Sequence, residues 1–190
     1  MTRPTREEAW ALLTKHTQSE SLLKHALAVE AAMRAYARHF KEDEELWGVT
    51  GLIHDFDYEE HPDLGPNGHV SAGCAMLREE GWPEEIVEAV GGHATYLGIP
   101  RTSLMAKTLF AVDELTGLIA ACALVRPSKS IMDLKARSVR KKWKDKAFAR
   151  GVNREDIELG MSELGVEMNE HITFVIEALK PVAEDLGLAG

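Results

Sequence analysis

A histidine and an aspartate stand side by side at the close of an apolar run, Gly51-Leu52-Ile53-His54-Asp55-Phe56-Asp57. The pair sets a borderline metal ligand beside a hard oxygen ligand at one helix end, and a divalent cation needs several such ligands arriving from different segments. The chain supplies candidates: His25 upstream, His69 and His93 downstream, and Asp113 inside another apolar run. Each sits on or beside a segment that reads as helix. A fold for this chain must therefore bring the ends and faces of several helices to one point.

The periodicity agrees. Acids Glu7 and Glu8 just inside Pro4 open a first helix with Trp10, Leu12 and Leu13 on its apolar side. Thr17 with Glu20 has capping-box spacing and predicts the start of a second helix, running to about His39. On it Leu22, His25, Ala26, Val29, Ala32, Met33 and Tyr36 share one face, so His25 points inward. A third helix is predicted over Glu42 to Ile53, with Gly48 and Gly51 allowing close approach. Pro62, Gly65, Pro66 and Gly68 mark a loop. Two short helices follow, and His69 and His93 lie at helix ends beside glycine, where backbone can come near a ligand.

Thr102 or Ser103 caps a long helix to about Val125 that is apolar nearly all round. Asp113 lies within it. A carboxylate there costs several kcal/mol unless it is paired or bound to a metal, which makes Asp113 a candidate ligand; an ion pair with Lys107 is the plainer alternative. Beyond Arg126-Pro127 the composition turns basic, then Asn153 caps a short helix and a last helix runs from Val166 to about Ala183. No stretch alternates with period two. The expectation is an all-α fold: a core over residues 1–127 and a helical C-terminal extension, 128–190, packed on it as one compact unit.

A net charge of −9 argues against a surface that coats nucleic acid. Cys74 and Cys122 have no metal-type spacing and sit in apolar patterns, which predicts reduced thiols and a cytoplasmic setting. The N-terminal residues hold no apolar segment of a signal peptide, and the longest apolar run is too short for a bilayer, so no membrane association is expected.

The cysteine count excludes thiolate zinc sites, and HExxH, P-loop, GxGxxG and Gly-x-Ser-x-Gly patterns are all missing. What remains is a mixed imidazole and carboxylate site, suited to iron, manganese, cobalt, nickel or zinc rather than calcium. Such a metal lowers the pKa of bound water and polarises a phosphoryl oxygen, and phosphate ester hydrolysis is the reaction class that follows.

The order His25, His54-Asp55, Asp113 resembles the HD superfamily of metal-dependent phosphohydrolases, and most of all its small stand-alone HDIG-type members. The context around Asp113, Ala-Val-Asp-Glu-Leu-Thr-Gly-Leu-Ile, matches as well, and the resemblance covers roughly residues 20–125. It implies a helical bundle with the metal at its centre. By that likeness His25, His54, Asp55 and Asp113 hold one ion, His54-Asp55 is the catalytic pair, and His69 and His93 complete a second site or contact substrate, with Asp55 bridging. One or two divalent transition-metal ions and a small phosphorylated substrate, a nucleotide or another metabolite, are implied. No Gly-Tyr-Pro triplet is present, so the cyclic-di-GMP branch is not supported. A catalytically silent module that binds metal or nucleotide is the alternative, and an interaction scaffold a third.

The basic stretch from Ser130 to Arg150 has three readings: a solvated helix face, a local nucleic-acid patch, which the chain's acidity and the run's short length argue against, and a clamp in which Arg140-Lys141-Lys142 folds over the metal mouth so that Lys141 or Lys142 neutralises a substrate phosphate.

Overall fold

A helix start leaves backbone N–H groups without partners, and at five helix starts in this chain a side chain takes them up. The computed structural model describes residues 3–190. Helix α1, Arg6–His16, opens on a capping box between Thr5 and Glu8. Asp43 caps α3, Glu44–Ile53, and Ser103 caps α6, Leu104–Leu124. Asn153 caps α8, Arg154–Leu164, and Glu167 caps α9, Met168–Leu179. Between them lie α2, Glu20–Phe40, α4, Ser71–Glu79, α5, Glu84–Gly92, and α7, Ala136–Trp143. Among the described residues there is no strand beyond two isolated bridges, Leu64 with His69 and Ser130 with Ala189. The fold is all-α.

Several helix boundaries differ from the sequence expectation, and α3 starts at Glu44 rather than Glu42. Thr17 does not cap α2; it ends α1, and its hydroxyl donates to the Phe56 carbonyl at 3.1 Å. The turn before α2 is held from outside instead, by the Glu59 carboxylate accepting from the backbone of Gln18 and Ser19 at 2.8 and 2.9 Å. The last helix is also shorter than expected. Gly165 ends α8 at a left-handed φ of +74°, and α9 begins only at Met168. It gives way at Lys180 to a short 3₁₀ turn containing Pro181, which has no N–H to continue the α ladder.

The core forms around α2, α3 and α6. Gly51 lets α3 lie against α2, since a Cβ there would stand 2.9 Å from Met33 Cγ and 3.0 Å from the Val29 carbonyl oxygen. Behind that contact Glu30, buried, accepts from Arg6 of α1 at 2.7 Å and Arg34 of α2 at 2.9 Å, and Arg34 also donates to Glu45 of α3 at 2.8 Å, so three helices share one compensated charge cluster. Helix α6 is buried along most of its length and packs on α2, α5, α8 and α9.

Residues 128–190 close the other side. Gly160 brings α8 against the backbone of α6 at Ala111. His171 on α9 accepts from the Tyr36 hydroxyl of α2 at 2.6 Å and donates to the Ala111 carbonyl of α6 at 2.8 Å, tying three helices together. The C-terminal tail is held where Ile131 donates to the Leu188 carbonyl and the Ser130 hydroxyl to the Ala189 carbonyl, both at 2.8 Å. No helix is long and apolar enough to cross a membrane among the described residues.

Candidate metal centre

Three of the candidate ligands stand just outside helices rather than within them, and each is aimed by its Nδ1. His54 directly follows α3, and its Nδ1 donates to the Gly51 carbonyl at 2.7 Å, one of the carbonyls a helix end leaves free. His93 follows α5 and repeats the device, donating to the Val90 carbonyl at 2.5 Å. His69 precedes α4 and donates to Asp57 Oδ1 at 2.8 Å. Asp57 is itself fully buried, and its other oxygen accepts from the Gly73 backbone at 2.9 Å. Gly73 must lack a side chain, because a Cβ would come within 2.7 Å of the Asp57 carboxyl carbon. His25 and Asp113 come instead from the facing sides of α2 and α6.

The ring nitrogens left over converge. His25 Nε2 lies 3.0 Å from Asp113 Oδ1 and His54 Nε2 lies 3.3 Å from it. The same two nitrogens are 3.7 and 3.4 Å from Asp55 Oδ2. On the far side of that carboxylate, Oδ1 meets His69 Nε2 at 3.2 Å and His93 Nε2 at 3.1 Å. Two ligand groups result, His25 with His54, Asp55 and Asp113, and Asp55 with His69 and His93. Asp55 belongs to both, one oxygen to each.

The donor set fits a divalent cation. With Nδ1 of His54, His69 and His93 committed as donors, each neutral ring turns its Nε2 lone pair inward. There it faces carboxylate oxygens, and lone pairs in that arrangement repel unless a proton or a metal ion lies between them. Asp55 Oδ1 is buried and has no aligned hydrogen bond, although two imidazole nitrogens stand within 3.2 Å. His25 Nε2 and His54 Nε2 likewise face each other at 3.2 Å. Imidazole and carboxylate together suit a transition metal.

The electrostatics point the same way. Burial works against charge on His54, yet Asp55 and Asp113 outweigh it and raise the imidazole well above its ordinary value. Burial opposes charge on His69 too, and Asp55 and Asp57 overcome this, raising it to about 9. For the acids burial favours the neutral form, but His54 above all holds Asp55 and Asp113 well below the ordinary carboxylate range. The pocket attracts positive charge strongly.

Above the ligands opens a cavity of about 310 Å³, walled by Tyr58, Tyr96, Phe110, Glu114 and Asp156. Burial, reinforced by neighbouring Asp113, pushes the Glu114 carboxyl up to about 7. No Lys or Arg lines this cavity. Lys141 and Lys142, the lysines of the clamp expectation, therefore do not line it. Val139 is fully buried and anchors α7 beside α6 and α9, which turns Lys141 into a separate hollow with Arg137, Arg140 and Lys144. The Lys142 ammonium lies over the Phe148 ring at 4.8 Å. The Lys141 hollow shares no lining residue with the metal cavity.

The sequence assigns no role to Asp57, which ends the His-Asp stretch just before the loop over Tyr58 to Gly68. Its proximity to the His-Asp pair was the one available signal. Glu114 and Asp156 come to the cavity from different helices, and nothing in their local sequence marks that.

The sequence profile described as HD domain matches residues 22–118, just over half of the chain. That span runs from α2 into α6 and contains all six converging residues. No curated protein and no solved structure matches the chain.

Proposed function

Because the chain belongs to the HD domain family, we propose that it is a metal-dependent phosphohydrolase that cleaves an ester of a small phosphorylated metabolite. The carrying observation is Asp55, whose two oxygens face two separate groups of imidazoles. That arrangement supports two divalent transition-metal ions with Asp55 between them.

Ions held there supply Lewis-acid polarisation of a phosphoryl oxygen and a water of lowered pKa. The chain's own residues do the rest. His25, His54 and Asp113 fix one side of the site, and His69 and His93 the other. The Gly51 and Val90 carbonyls and the Asp57 carboxylate lock the ring orientations, so little rearrangement is needed when ligands engage. Phe110 and the two tyrosines wall the cavity and give the substrate aromatic surface at its mouth.

The absence of any Lys or Arg in the cavity wall limits the substrate. A triphosphate would meet Glu114 and Asp156, while Arg101, behind Phe110, is already paired with Glu163 at 2.6 Å, so a single phosphoryl group fits best. The two buried free thiols support the cytoplasmic setting.

Hydrolysis of a panel of phosphate mono- and diesters, assayed after loading tag-free protein with manganese, iron, cobalt, nickel or zinc, tests the reading. Turnover that needs one of these metals and disappears in Asp55→Ala is expected. Metal binding with no turnover across the panel would leave the silent binding module as the better description.

A further inference from the structure

We infer that the substrate's alcohol portion is apolar and sits in a second hollow beside the metal cavity, an inference that rests on the phosphohydrolase reading above. The hollow, about 320 Å³, runs between α2 and α6 beneath the C-terminal tail. Ala28, Ala120, Ala121, Leu124, Leu186 and Leu188 line it. It shares His25 and Gly117 with the metal cavity, so the two spaces adjoin about one helical turn beyond Asp113.

Gly117 leaves room at that junction. A Cβ there would find only Val152 Cγ2, at 3.9 Å, and a larger side chain would occupy space that both hollows border. The far wall is fixed, because the tail is hydrogen-bonded through Leu188 to Ile131 at 2.8 Å.

The two hydroxyls at the hollow's edge already have partners, Thr116 donating to the Asp113 carbonyl at 2.8 Å and Ser21 bonding with Ser19 at 2.9 Å. Lys24, also at the edge, pairs with the exposed Glu20 at 2.6 Å on the solvent side. A nucleobase or a sugar placed here would lose water without regaining its hydrogen bonds, whereas a hydrocarbon chain or ring would not. The metal cavity adds a second reason. It offers no cationic side chain to the phosphate, so binding beyond the metal contacts must come from elsewhere, and burying apolar surface is what the neighbouring hollow provides. The substrate class that fits both spaces is a phosphate monoester of an aliphatic or aromatic alcohol.

Calorimetric titration of the manganese-loaded protein with ethyl-, butyl-, hexyl- and octylphosphonate tests this without relying on turnover. Affinity should rise roughly three- to fourfold per added methylene until the hollow is filled. In Ala121→Trp, which fills the hollow, and in Leu124→Glu, at its half-exposed rim, the ratio of octyl to ethyl affinity should fall toward one. Equal affinity along the series in the wild type, or a slope that survives in both variants, would overturn the inference. Hydrolysis of ethyl, butyl, hexyl and octyl phosphate is followed in parallel. A chain-length slope without any hydrolysis would uphold the apolar hollow and overturn the phosphohydrolase reading alone.

Discussion

Asp57 Oδ1 accepts the Nδ1 proton of His69 at 2.8 Å, from a position with no solvent exposure and with the Gly73 backbone donating to its other oxygen at 2.9 Å. The carboxylate is therefore a positioning group: it keeps the His69 lone pair on Asp55. Asp57→Ala is expected to weaken binding of the ion on the His69 and His93 side by about 10- to 100-fold while leaving the His25, His54 and Asp113 side occupied. Metal titrations of the two proteins measure this directly. Equal stoichiometry and affinity would remove Asp57 from the account.

Gly160 is a sterically enforced contact. A Cβ there would lie 2.7 Å from Ala111 Cα and 3.1 Å from its nitrogen, and backbone cannot swing aside as a side chain can. Gly160→Ala should destabilise the protein by about 1–3 kcal/mol in denaturant unfolding. Gly151→Ala, where a Cβ meets nothing within 4 Å, serves as the control and should change stability by less than about 0.5 kcal/mol.

His171 gives a pH signature. Burial lowers its pKa despite the bond to the Ala111 carbonyl, so the folded protein keeps it neutral. The unfolded chain takes up that proton as pH falls through about 6.5. Its contribution to stability is thus complete above that pH and is lost as pH drops below it. His171→Gln should be less stable than wild type near neutrality, and the gap should narrow as the solution is acidified toward about pH 5. A gap independent of pH would show that the imidazole does not titrate differently in the two states.

The basic segment should prove silent in catalysis. Lys141 opens into a hollow away from the metal cavity and Lys142 packs over Phe148. Replacing both by Ala is expected to change KM for any hydrolysed ester by less than about twofold, since neither lysine lines the metal cavity. A large rise in KM would restore the clamp.

His25 and Asp113 could be read from the chain because each interrupts an apolar helical face, and a polar group there needs a partner inside the protein. His54-Asp55 and His93 could be read because they close apolar runs. Helix periodicity also gave the all-α fold, since no segment competes with period two. What could not be read depends on neighbours distant in sequence. Asp57 acquires its role only when α4 packs so that Gly73 meets it. Thr17 has capping spacing, but the Phe56 carbonyl claims its hydroxyl. On α7 the pattern of Val139 and Trp143 showed which side was anchored, but which hollow the lysines would face was settled by the packing of that helix against α9.

Metal stoichiometry decides most directly whether Asp55 joins two metal sites. Elemental analysis of tag-free protein saturated with manganese should give two ions per chain in wild type and one in His93→Ala. Asp55→Ala should retain fewer than His93→Ala, because it removes an oxygen from both groups at once. A single ion in wild type, or an Asp55→Ala protein that still holds two, would contradict the account.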